Sequence, residues 1–562
     1  MKQLLTIMLL AISLGSRAQS ALVPNGSILE YMAKRFEIKT GILQNDLHTD
    51  VAPFNRKNVG PFLNHIFDST LKSNGPADDF YRNYALNENF NWAGGQWNTQ
   101  NGLFGKFYKN QNSIYSAKED GLELFVNPVI HYRLGGETNW PDSQNMFFNE
   151  RGAEVRGNIG RKLGFYTYFT DNQARYPIYV QNWISQNSVI PGEGFWKKFK
   201  ETGVDHYSSR GHITWSASKY VDFTFGHGRN FIGNGMRSLL LSDFSRDYLH
   251  LRINTRIWKF NYQNLFAEFV NVQPIATPGQ RLSTGAYPRK YMASHYLSLD
   301  VSKKLSIGLF EAEMFHDADS NGSGFELNYL NPIIFYRAVE HYIGSADNAL
   351  MAINVNYLPT KGVSLYGQFI IDEFRFYEFI SNSGWWGNKH GVQAGLKYID
   401  AFGIKNLDYQ FEFNSVRPYT YTHQNGGTNY VHYNQPLAHP LGANFKEVIN
   451  RIRWVPTRNL FIDVIYNYSI QGLDNDTTNW GANILKSFNE IESETNNFIG
   501  QGNRAVVNRF DVNLSYMFYH NLFLDFSVTN RSLVTQTGSL DYSSSFYSVG
   551  IRWNAIPKNL LF

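Results

Sequence analysis

The segment from Ser415 to Lys446 carries the densest set of ring side chains that could bind a ligand. The candidates for contact with a ligand are Tyr419, Tyr421, His423, Tyr430, His432, Tyr433 and His439. Phenol and imidazole groups can donate and accept hydrogen bonds to sugar hydroxyls, and aromatic faces pack against the C–H surfaces of sugars. This mixture suits a sugar-binding loop. The alternative interpretation is that the rings only pack the loop against its neighbours.

Metal binding and catalysis have weaker support from the residue spacings. The histidine spacings match no closed metal site, and the chain contains no cysteine. Gly226-His227-Gly228, with Gly233 and Gly235, lacks the Gly-Lys-Ser/Thr of a phosphate-binding loop and indicates a sharply bending loop instead. Triad geometry cannot be read from spacing alone. The sequence therefore predicts no catalytic residue, no metal site and no cofactor. A lipid hydrolase built on a barrel is the enzymatic alternative.

Alternating apolar and polar residues indicate the strands that must position this loop. In Leu407–Phe413 the apolar side chains share one face, and Asp408, Gln410 and Glu412 share the other. The segment 510–518 alternates in the same way. A charge facing lipid near the bilayer midplane costs about 2–4 kcal/mol, and less for a carboxylate. The charged face must therefore contact water or a polar lumen, although a soluble sandwich has the same period.

The charged residues on the inward faces of the strands predict a lumen wall of paired groups. Acid–base catalysis by nearby carboxylates is the less favoured interpretation, because paired and solvated walls are far more common. The predicted lumen residues are Glu154, Arg156, His250, Arg252, Asp300, Asp372, Glu412, Asp463, Arg509, Asp511, Asp525 and Arg552.

Residues 1–18 are predicted to form a secretory signal peptide. Lys2 precedes the apolar run Leu4–Leu14, and Ser16-Arg17-Ala18 supplies small residues before a cleavage site. After residue 20, no apolar run approaches the length that a spanning helix needs. An exported chain without such a helix, but with many strands that have one apolar and one charged face, belongs in a bacterial outer membrane.

Short turns and long loops alternate along the chain, and this alternation predicts a transmembrane antiparallel β-barrel. The predicted tight turns are Gly160–Leu163, Ser218–Lys219, Arg256–Ile257, Ser302–Lys304, Pro359–Gly362, Asp400–Asn406, Pro456–Asn459 and Tyr519–Asn521. With an opening strand Leu122–Tyr132 and a closing strand Phe546–Trp553, the count is about eighteen, an even number as in bacterial barrels. The short turns are expected in the periplasm and the long loops outside the cell.

Residues 19–115 do not alternate, and they are predicted to form a small helical plug or periplasmic segment before the barrel of residues 116–562. Ser27–Lys34 has a helical pattern with Ser27 as N-cap, and Pro61 occupies the favoured first position of a second helix. A barrel of about eighteen strands is wide enough to need filling. The predicted fold is therefore an all-β barrel that is preceded by a small helical or irregular N-terminal segment.

The composition agrees with a barrel and argues against nucleic acid as a partner. Aromatic residues make up 16% of the chain, hydrophobic residues only 43%, and mean hydropathy is −0.37. A barrel needs apolar residues on one face only and places aromatic residues at both membrane interfaces. The net charge of +4 is small, and the basic residues are dispersed.

Five stretches of the sequence resemble the Wzi family of capsule-assembly proteins. They are Tyr31–Ile38 followed by Pro53–Val59, Phe225–Gly235 running into Ser-Leu-Leu-Leu-Ser at 238–242, Arg417–His423 and Gln435–Gly442. Within that family, the chain is most similar to the gliding-motility RemB-like proteins of the Bacteroidetes. The resemblance covers most of the mature chain, through short and divergent motifs.

The resemblance implies an outer-membrane barrel that engages polysaccharide at the cell surface, in capsule or exopolysaccharide attachment or in gliding-linked adhesion. The expected partners are outer-membrane lipid, surface polysaccharide, and a motility or secretion machinery. An outer-membrane porin or uptake channel is the alternative, because a barrel of this size can be an open channel. The two functions differ in whether residues 19–115 fill the lumen.

Overall fold

A computed structural model provides the coordinates of the protein. The structure describes residues 21–67, 76–89, 112–138, 145–160, 162–272, 287–316, 326–332, 342, 347–424, 426–475, 477–558 and 560–562. The predicted signal peptide, residues 1–18, lies outside these ranges.

Eighteen long antiparallel strands form a closed barrel in the described part of the chain. In chain order they are β1 (Leu122–Glu137), β2 (Met146–Ile159), β3 (Leu163–Arg175), β4 (Gly203–Ser216), β5 (Val221–Gly228), β6 (Tyr248–Ile257), β7 (Phe260–Val270), β8 (Arg289–Asp300), β9 (Leu305–His316), β10 (Asn348–Thr360), β11 (Val363–Glu373), β12 (Lys389–Tyr398), β13 (Leu407–Val416), β14 (Phe445–Trp454), β15 (Leu460–Leu473), β16 (Asn503–Tyr519), β17 (Leu522–Thr535) and β18 (Tyr542–Trp553). The last strand pairs with the first and closes the barrel. The predicted fold class is confirmed.

Most tight turns lie where the sequence predicts them, as at 217–220, 301–304 and 399–406. One predicted turn is wrong, since Ile257 still pairs with Phe260 and the chain reverses at Trp258–Lys259. The strands are also longer than predicted at the extracellular end. For example, β1 continues to Glu137 because its last residues pair with β18. Strand pairing therefore continues beyond the alternating segments that the sequence makes visible.

The outward face of the barrel is an apolar belt. Exposed large apolar residues on this face include Phe225, Ile213, Phe510, Phe526, Tyr547 and Ile551. The inward face holds buried charged residues that are paired, such as Arg552 with Asp525 at 2.7 Å and Arg509 with Asp511 at 2.8 Å. A closed cylinder with an apolar outside and a polar inside satisfies every backbone group within lipid. The chain is a transmembrane barrel of the bacterial outer membrane.

The described helices do not include one that is both long enough and apolar enough to cross a membrane. Five α-helices are described outside the barrel wall: α1 (Ile28–Thr40), α2 (Arg56–His65), α3 (Pro76–Glu88), α4 (Ile178–Asn187) and α5 (Phe376–Ile380). The first three pack against inward-facing residues near the short turns, at the periplasmic end.

Helix α1 begins as the sequence predicts. The Ser27 side chain caps it by accepting a hydrogen bond from the Glu30 backbone N–H. The helix extends six residues beyond the predicted end at Lys34, because Arg35, Phe36 and Ile38 are buried against the plug and the barrel wall. Tertiary burial therefore lengthens a helix whose local pattern is short.

The predicted start of the second helix at Pro61 is wrong. Helix α2 begins five residues earlier, and Pro61 lies inside it. The early start follows from tertiary contacts of the first turn: Arg56 Nη1 lies 3.0 Å from Glu88, and Lys57 Nζ lies 2.6 Å from Asp222. These contacts hold the first turn in place, while Pro61 removes one backbone hydrogen bond of the helix.

Buried ion pairs attach the N-terminal helices to the barrel. Arg35 is 1% exposed and contacts Asp400 at 2.5 Å and Asp408 at 2.9 Å. Glu88 is within 3.2 Å of both Arg156 on β2 and His520 in a periplasmic turn. The described part of residues 19–115 is thus fixed inside the periplasmic end of the barrel. The domain boundary near residue 115 stays a prediction.

We predict that Arg35→Met undocks the N-terminal helices. Removing one partner of a buried ion pair costs about 3–5 kcal/mol. Limited proteolysis in detergent should therefore cut residues 21–67 faster, while the barrel keeps its heat-modifiable gel mobility. Lys34→Met is the matched control, because Lys34 pairs with Glu30 inside the same helix at 2.7 Å and such pairs contribute about 0.3–0.5 kcal/mol. Equal protection of both variants would contradict the prediction.

Candidate functional site

Three extracellular loops from consecutive strand pairs form the candidate site. Residues 374–388 join β11 to β12, residues 417–444 join β13 to β14, and residues 474–502 join β15 to β16. The first of these loops contains α5. Long loops of a bacterial barrel face the outside of the cell. The loop 229–247, between β5 and β6, folds under them and contributes Leu239, Leu240 and Leu241 to a shared apolar core.

Most of the sequence-predicted site residues are buried in this assembly. Tyr419, Tyr421, Tyr430 and His439 are 0% exposed, His432 is 2% and His423 is 8% exposed, and Tyr433 is half-buried. The Tyr421 hydroxyl donates to the Leu239 carbonyl at 2.7 Å, and the Tyr419 hydroxyl donates to the Asn479 carbonyl at 2.7 Å. The rings therefore join the middle loop to the third loop and to the loop 229–247 beneath it.

The histidines of the middle loop are part of the same packing. His439 Nε2 lies 2.7 Å from Glu447, which also pairs with Arg237 at 3.0 Å. His432 Nδ1 accepts a hydrogen bond from the Val270 backbone N–H at 3.0 Å. Burial lowers the pKa of both imidazoles, more strongly for His432 because Glu447 counteracts burial at His439. Neutral imidazoles at these positions hold loops together.

The backbone of the middle loop is unusually constrained. Tyr419, Tyr421 and Tyr433 have φ values of 65°, 72° and 52°, in the left-handed region that side chains rarely adopt. Each such residue costs about 1–3 kcal/mol and persists only where its surroundings determine it. The buried hydrogen bonds of the Tyr419 and Tyr421 hydroxyls hold the backbone in this conformation. The middle loop is a buried, hydrogen-bonded support.

Sugar contact by the seven predicted residues stays a prediction, because nothing yet measures it. As placed, the six buried side chains would influence a ligand through the shape of the loop rather than through an open ring face. Tyr433 is the half-buried exception, and its ring already contacts Phe195 at 4.9 Å and the Arg246 guanidinium at 5.1 Å. The structure brings the seven residues into one loop but not onto one open surface.

A set of half-buried rings, to which no sequence pattern points, packs against this support. We call Trp385, Trp386 and Phe488 the aromatic cluster. The ring centroids of Trp385 and Trp386 lie 5.8 Å apart, and those of Trp386 and Phe488 lie 5.0 Å apart. Trp386 also contacts the buried Tyr419 ring at 6.3 Å. The cluster therefore joins the first and third loops above the buried middle loop.

Charged groups fix the rings of the aromatic cluster in place. Lys389 Nζ lies 4.1 Å from the Phe488 centroid, and the Arg375 guanidinium lies 4.3 Å from the Trp385 centroid. Trp386 Nε1 donates to Glu494 at 2.9 Å. Such cation–π contacts and hydrogen bonds orient aromatic faces at little cost in side-chain freedom. The exposed Asn489 and Glu490 add polar groups beside Phe488.

The cluster was not identified from the sequence because its members are distant along the chain. About a hundred residues separate Trp386 from Phe488, and loop contacts at that distance leave no periodic signal. The adjacent tryptophans Trp385 and Trp386 were the available signal. Tryptophan is costly to expose and marks binding surfaces when it lies in a polar loop.

The segment after β18 crosses the barrel lumen. We call residues 554–562 the tail segment. Its described residues, 554–558 and 560–562, turn back into the barrel, where Lys558 pairs with Glu193 at 2.9 Å. The Phe562 ring contacts Tyr179 and Trp183 at 5.5 and 5.8 Å. Three luminal cavities of about 390, 430 and 130 Å³ are each lined by Lys558 and Leu560. The tail segment is therefore a common wall between them.

The charged residues predicted for the lumen are buried or half-buried on the inward face. Several are paired, as described for β16, β17 and β18. Among the residues that the structure describes, no group of three or more His, Cys, Asp or Glu could hold a metal ion. The predicted absence of catalytic residues and cofactors stays a prediction.

An eighteen-stranded barrel with a filled lumen and folded extracellular loops defines an outer-membrane β-barrel protein. The structure is similar to that of Wzi, described as an outer membrane protein involved in group 1 capsule assembly in Escherichia coli and as a carbohydrate-binding β-barrel. The identity is 12%, the match covers 96% of this chain and 100% of Wzi, and the TM-score is 0.56. At this identity, the likeness shows the fold.

Two other solved barrels from Pseudomonas aeruginosa align less well. OprD has 10% identity, a TM-score of 0.39, and coverage of 76% of this chain and 94% of OprD. OpdK has 9% identity, a TM-score of 0.42, and coverage of 78% and 99%. No family model matches the chain, and no curated protein matches it. The predicted resemblance to Wzi is confirmed at the level of the fold, and the RemB-like relationship stays a prediction.

Proposed function

We propose that this outer-membrane barrel engages cell-surface polysaccharide at its extracellular aromatic cluster. The observation that carries the proposal is the half-buried set of Trp385, Trp386 and Phe488, which pack against one another above a buried loop. Aromatic rings held in fixed orientations can pack against the C–H faces of sugars with little loss of side-chain freedom. The neighbouring amide and carboxylate groups can bond to sugar hydroxyls.

A single cluster of this size would bind one sugar segment weakly. A polysaccharide, however, presents the same segment many times, and a cell surface presents many barrels. Once one segment is bound, the next segments are held close to further sites at a high effective concentration. Many weak contacts therefore retain the polymer firmly. The proposed role is attachment of capsule or exopolysaccharide, or adhesion linked to gliding. A motility or secretion partner is part of the second role.

The fold of Wzi supports a surface polymer as the ligand, since Wzi is described as a carbohydrate-binding barrel of capsule assembly. The filled lumen also favours attachment over transport. Helices α1, α2 and α3 occupy the periplasmic end, and the tail segment separates the luminal cavities. A porin or uptake channel is the alternative function, for which an unobstructed passage is needed.

Deletion of the protein should release surface polysaccharide. The measurement is the amount of polymer that remains with washed cells, compared with the amount in the medium, together with cell spreading on a surface. The wild-type chain should restore retention when it is re-expressed. Loss of spreading with normal retention would assign the barrel to adhesion instead of attachment. Unchanged retention and spreading, with slower uptake of small solutes, would favour the channel.

A further inference from the structure

Helix α5 exposes an apolar side that no protein element covers in the described structure. Phe376, Tyr377, Phe379 and Ile380 are 68%, 79%, 52% and 66% exposed. With 3.6 residues per turn, these four side chains occupy one side of the helix, and Glu378 projects from the opposite side. The short helix is therefore amphipathic, and its apolar side is the exposed one.

The helix leans on the outer wall of the barrel and not over its mouth. The outward-facing Phe369 of β11 contacts the His390 ring at 6.1 Å, and His390 contacts Phe379 of α5 at 5.9 Å. Phe374 packs against both His390 and Phe379, at 6.1 and 5.3 Å. A continuous line of rings thus connects the apolar belt to α5.

The helix also lies at the height of the membrane surface. Ile371 on β11 pairs with Met351 on β10, which is 45% exposed and belongs to the apolar belt. His390 pairs with Ile371 in the same row, and its ring contacts Phe379 of the helix at 5.9 Å. The helix therefore lies against the extracellular edge of the apolar belt. Interfacial helices bury their apolar side at such a boundary, between headgroups and acyl chains.

The polar side of the helix faces the extracellular loops. Glu378 accepts a hydrogen bond from the Ser383 hydroxyl at 2.7 Å, and Arg375, immediately before the helix, stacks on Trp385. The apolar side consequently faces away from the aromatic cluster. A sugar bound at the cluster would not cover Phe376 or Ile380.

We propose that α5 inserts its apolar side into the outer leaflet of the outer membrane and acts as an interfacial anchor for the candidate site. The occupant of this surface is lipid, at the boundary between headgroups and acyl chains, because the surface continues the belt that lipid already covers. Arg375 then couples the anchored helix to Trp385. The aromatic cluster is held close to the membrane surface, where a polymer would lie along the headgroups.

Single-cysteine labelling tests the anchor directly, since the chain has no native cysteine. Phe376→Cys and Ile380→Cys, made separately in the full chain and carrying a nitroxide, are reconstituted in phospholipid vesicles. Accessibility to oxygen, which concentrates in lipid, is compared with accessibility to a neutral nickel chelate in water. Leu365→Cys on the belt is the lipid reference, and Asn489→Cys is the water reference. Glu378→Cys reports the polar side of the same helix.

The anchor predicts an oxygen-to-nickel ratio at positions 376 and 380 close to that at 365 and at least about threefold above that at 489 and 378. Each variant is first required to keep its heat-modifiable gel mobility. A water-like ratio at both positions in folded protein would overturn the proposal. So would protection of these labels by added polysaccharide but not by lipid, because that result would make α5 a sugar contact.

Discussion

The full-length barrel should pass no large, steady current in a planar bilayer, and a variant that lacks residues 556–562 should conduct. The reason is the position of the tail segment. Lys558 and Leu560 line all three luminal cavities, so their removal joins these cavities. The joined space would extend from Tyr84 and Asn521 at the periplasmic end to Gly135 and Met146 at the extracellular end.

The variant should conduct because an eighteen-stranded barrel encloses enough space for water. Helices α1, α2 and α3 stay at the periplasmic end and should keep its current below that of an empty barrel. Lys558→Ala combined with Leu560→Ala is the milder companion variant, which keeps the segment but weakens its attachment. It should show brief openings. Gel mobility before and after heating checks that each barrel is closed and inserted. A large steady conductance of the full-length protein would instead support the channel function.

Replacing Trp385 and Trp386 together by alanine should reduce polysaccharide retention on cells by about tenfold or more. A tenfold change in affinity corresponds to about 1.4 kcal/mol, and favourable aromatic contacts contribute about 0.5–1.5 kcal/mol beyond their area burial. Losing two rings therefore removes about 1.4 kcal/mol of binding free energy at one site. Because many sites bind one polymer, the loss of retained polymer is larger than the loss of affinity at a single site. The barrel wall does not depend on these side chains, so surface level should stay normal.

The matched control for this experiment is Trp258→Ala. Trp258 is 72% exposed and lies in a periplasmic turn, so its loss removes the same side chain on the wrong side of the membrane. Retention should be unchanged in that variant. Normal retention in the double variant, at normal surface level, would remove the aromatic cluster from the proposed function. It would leave the fold and the outer-membrane location unaffected.

The barrel could be predicted from the sequence because its two signals are local. Alternation with a period of two reports the inward and outward faces, and short turns such as 217–220 contain recognisable turn residues. The opening and closing strands were predicted too short because their extracellular ends, near Glu137 and Tyr542, are defined by pairing with each other. That pairing joins distant parts of the chain.

The candidate site was harder to predict because burial decides which rings are open, and burial is not a local property. Tyr421 and Tyr430 look like sugar ligands in sequence, but they stack on each other at 5.9 Å in the core beneath the loops. Trp386 and Phe488 become neighbours only after two separate loops fold over the barrel. The tail segment has no alternation or repeat that would reveal its path through the lumen.

The contacts between the N-terminal helices and the last strands constrain the order of assembly. The Tyr84 hydroxyl on α3 donates to Asn521 in the turn before β17 at 2.8 Å, and Phe80 contacts Phe461 on β15. The helices precede every barrel strand in the chain, yet their docking surfaces come from strands near its end. The seam between β1 and β18 joins the most distant strands, and contacts of that range form slowly. The helices can therefore complete their docking only when the last strands are in place, at about the stage at which the seam closes.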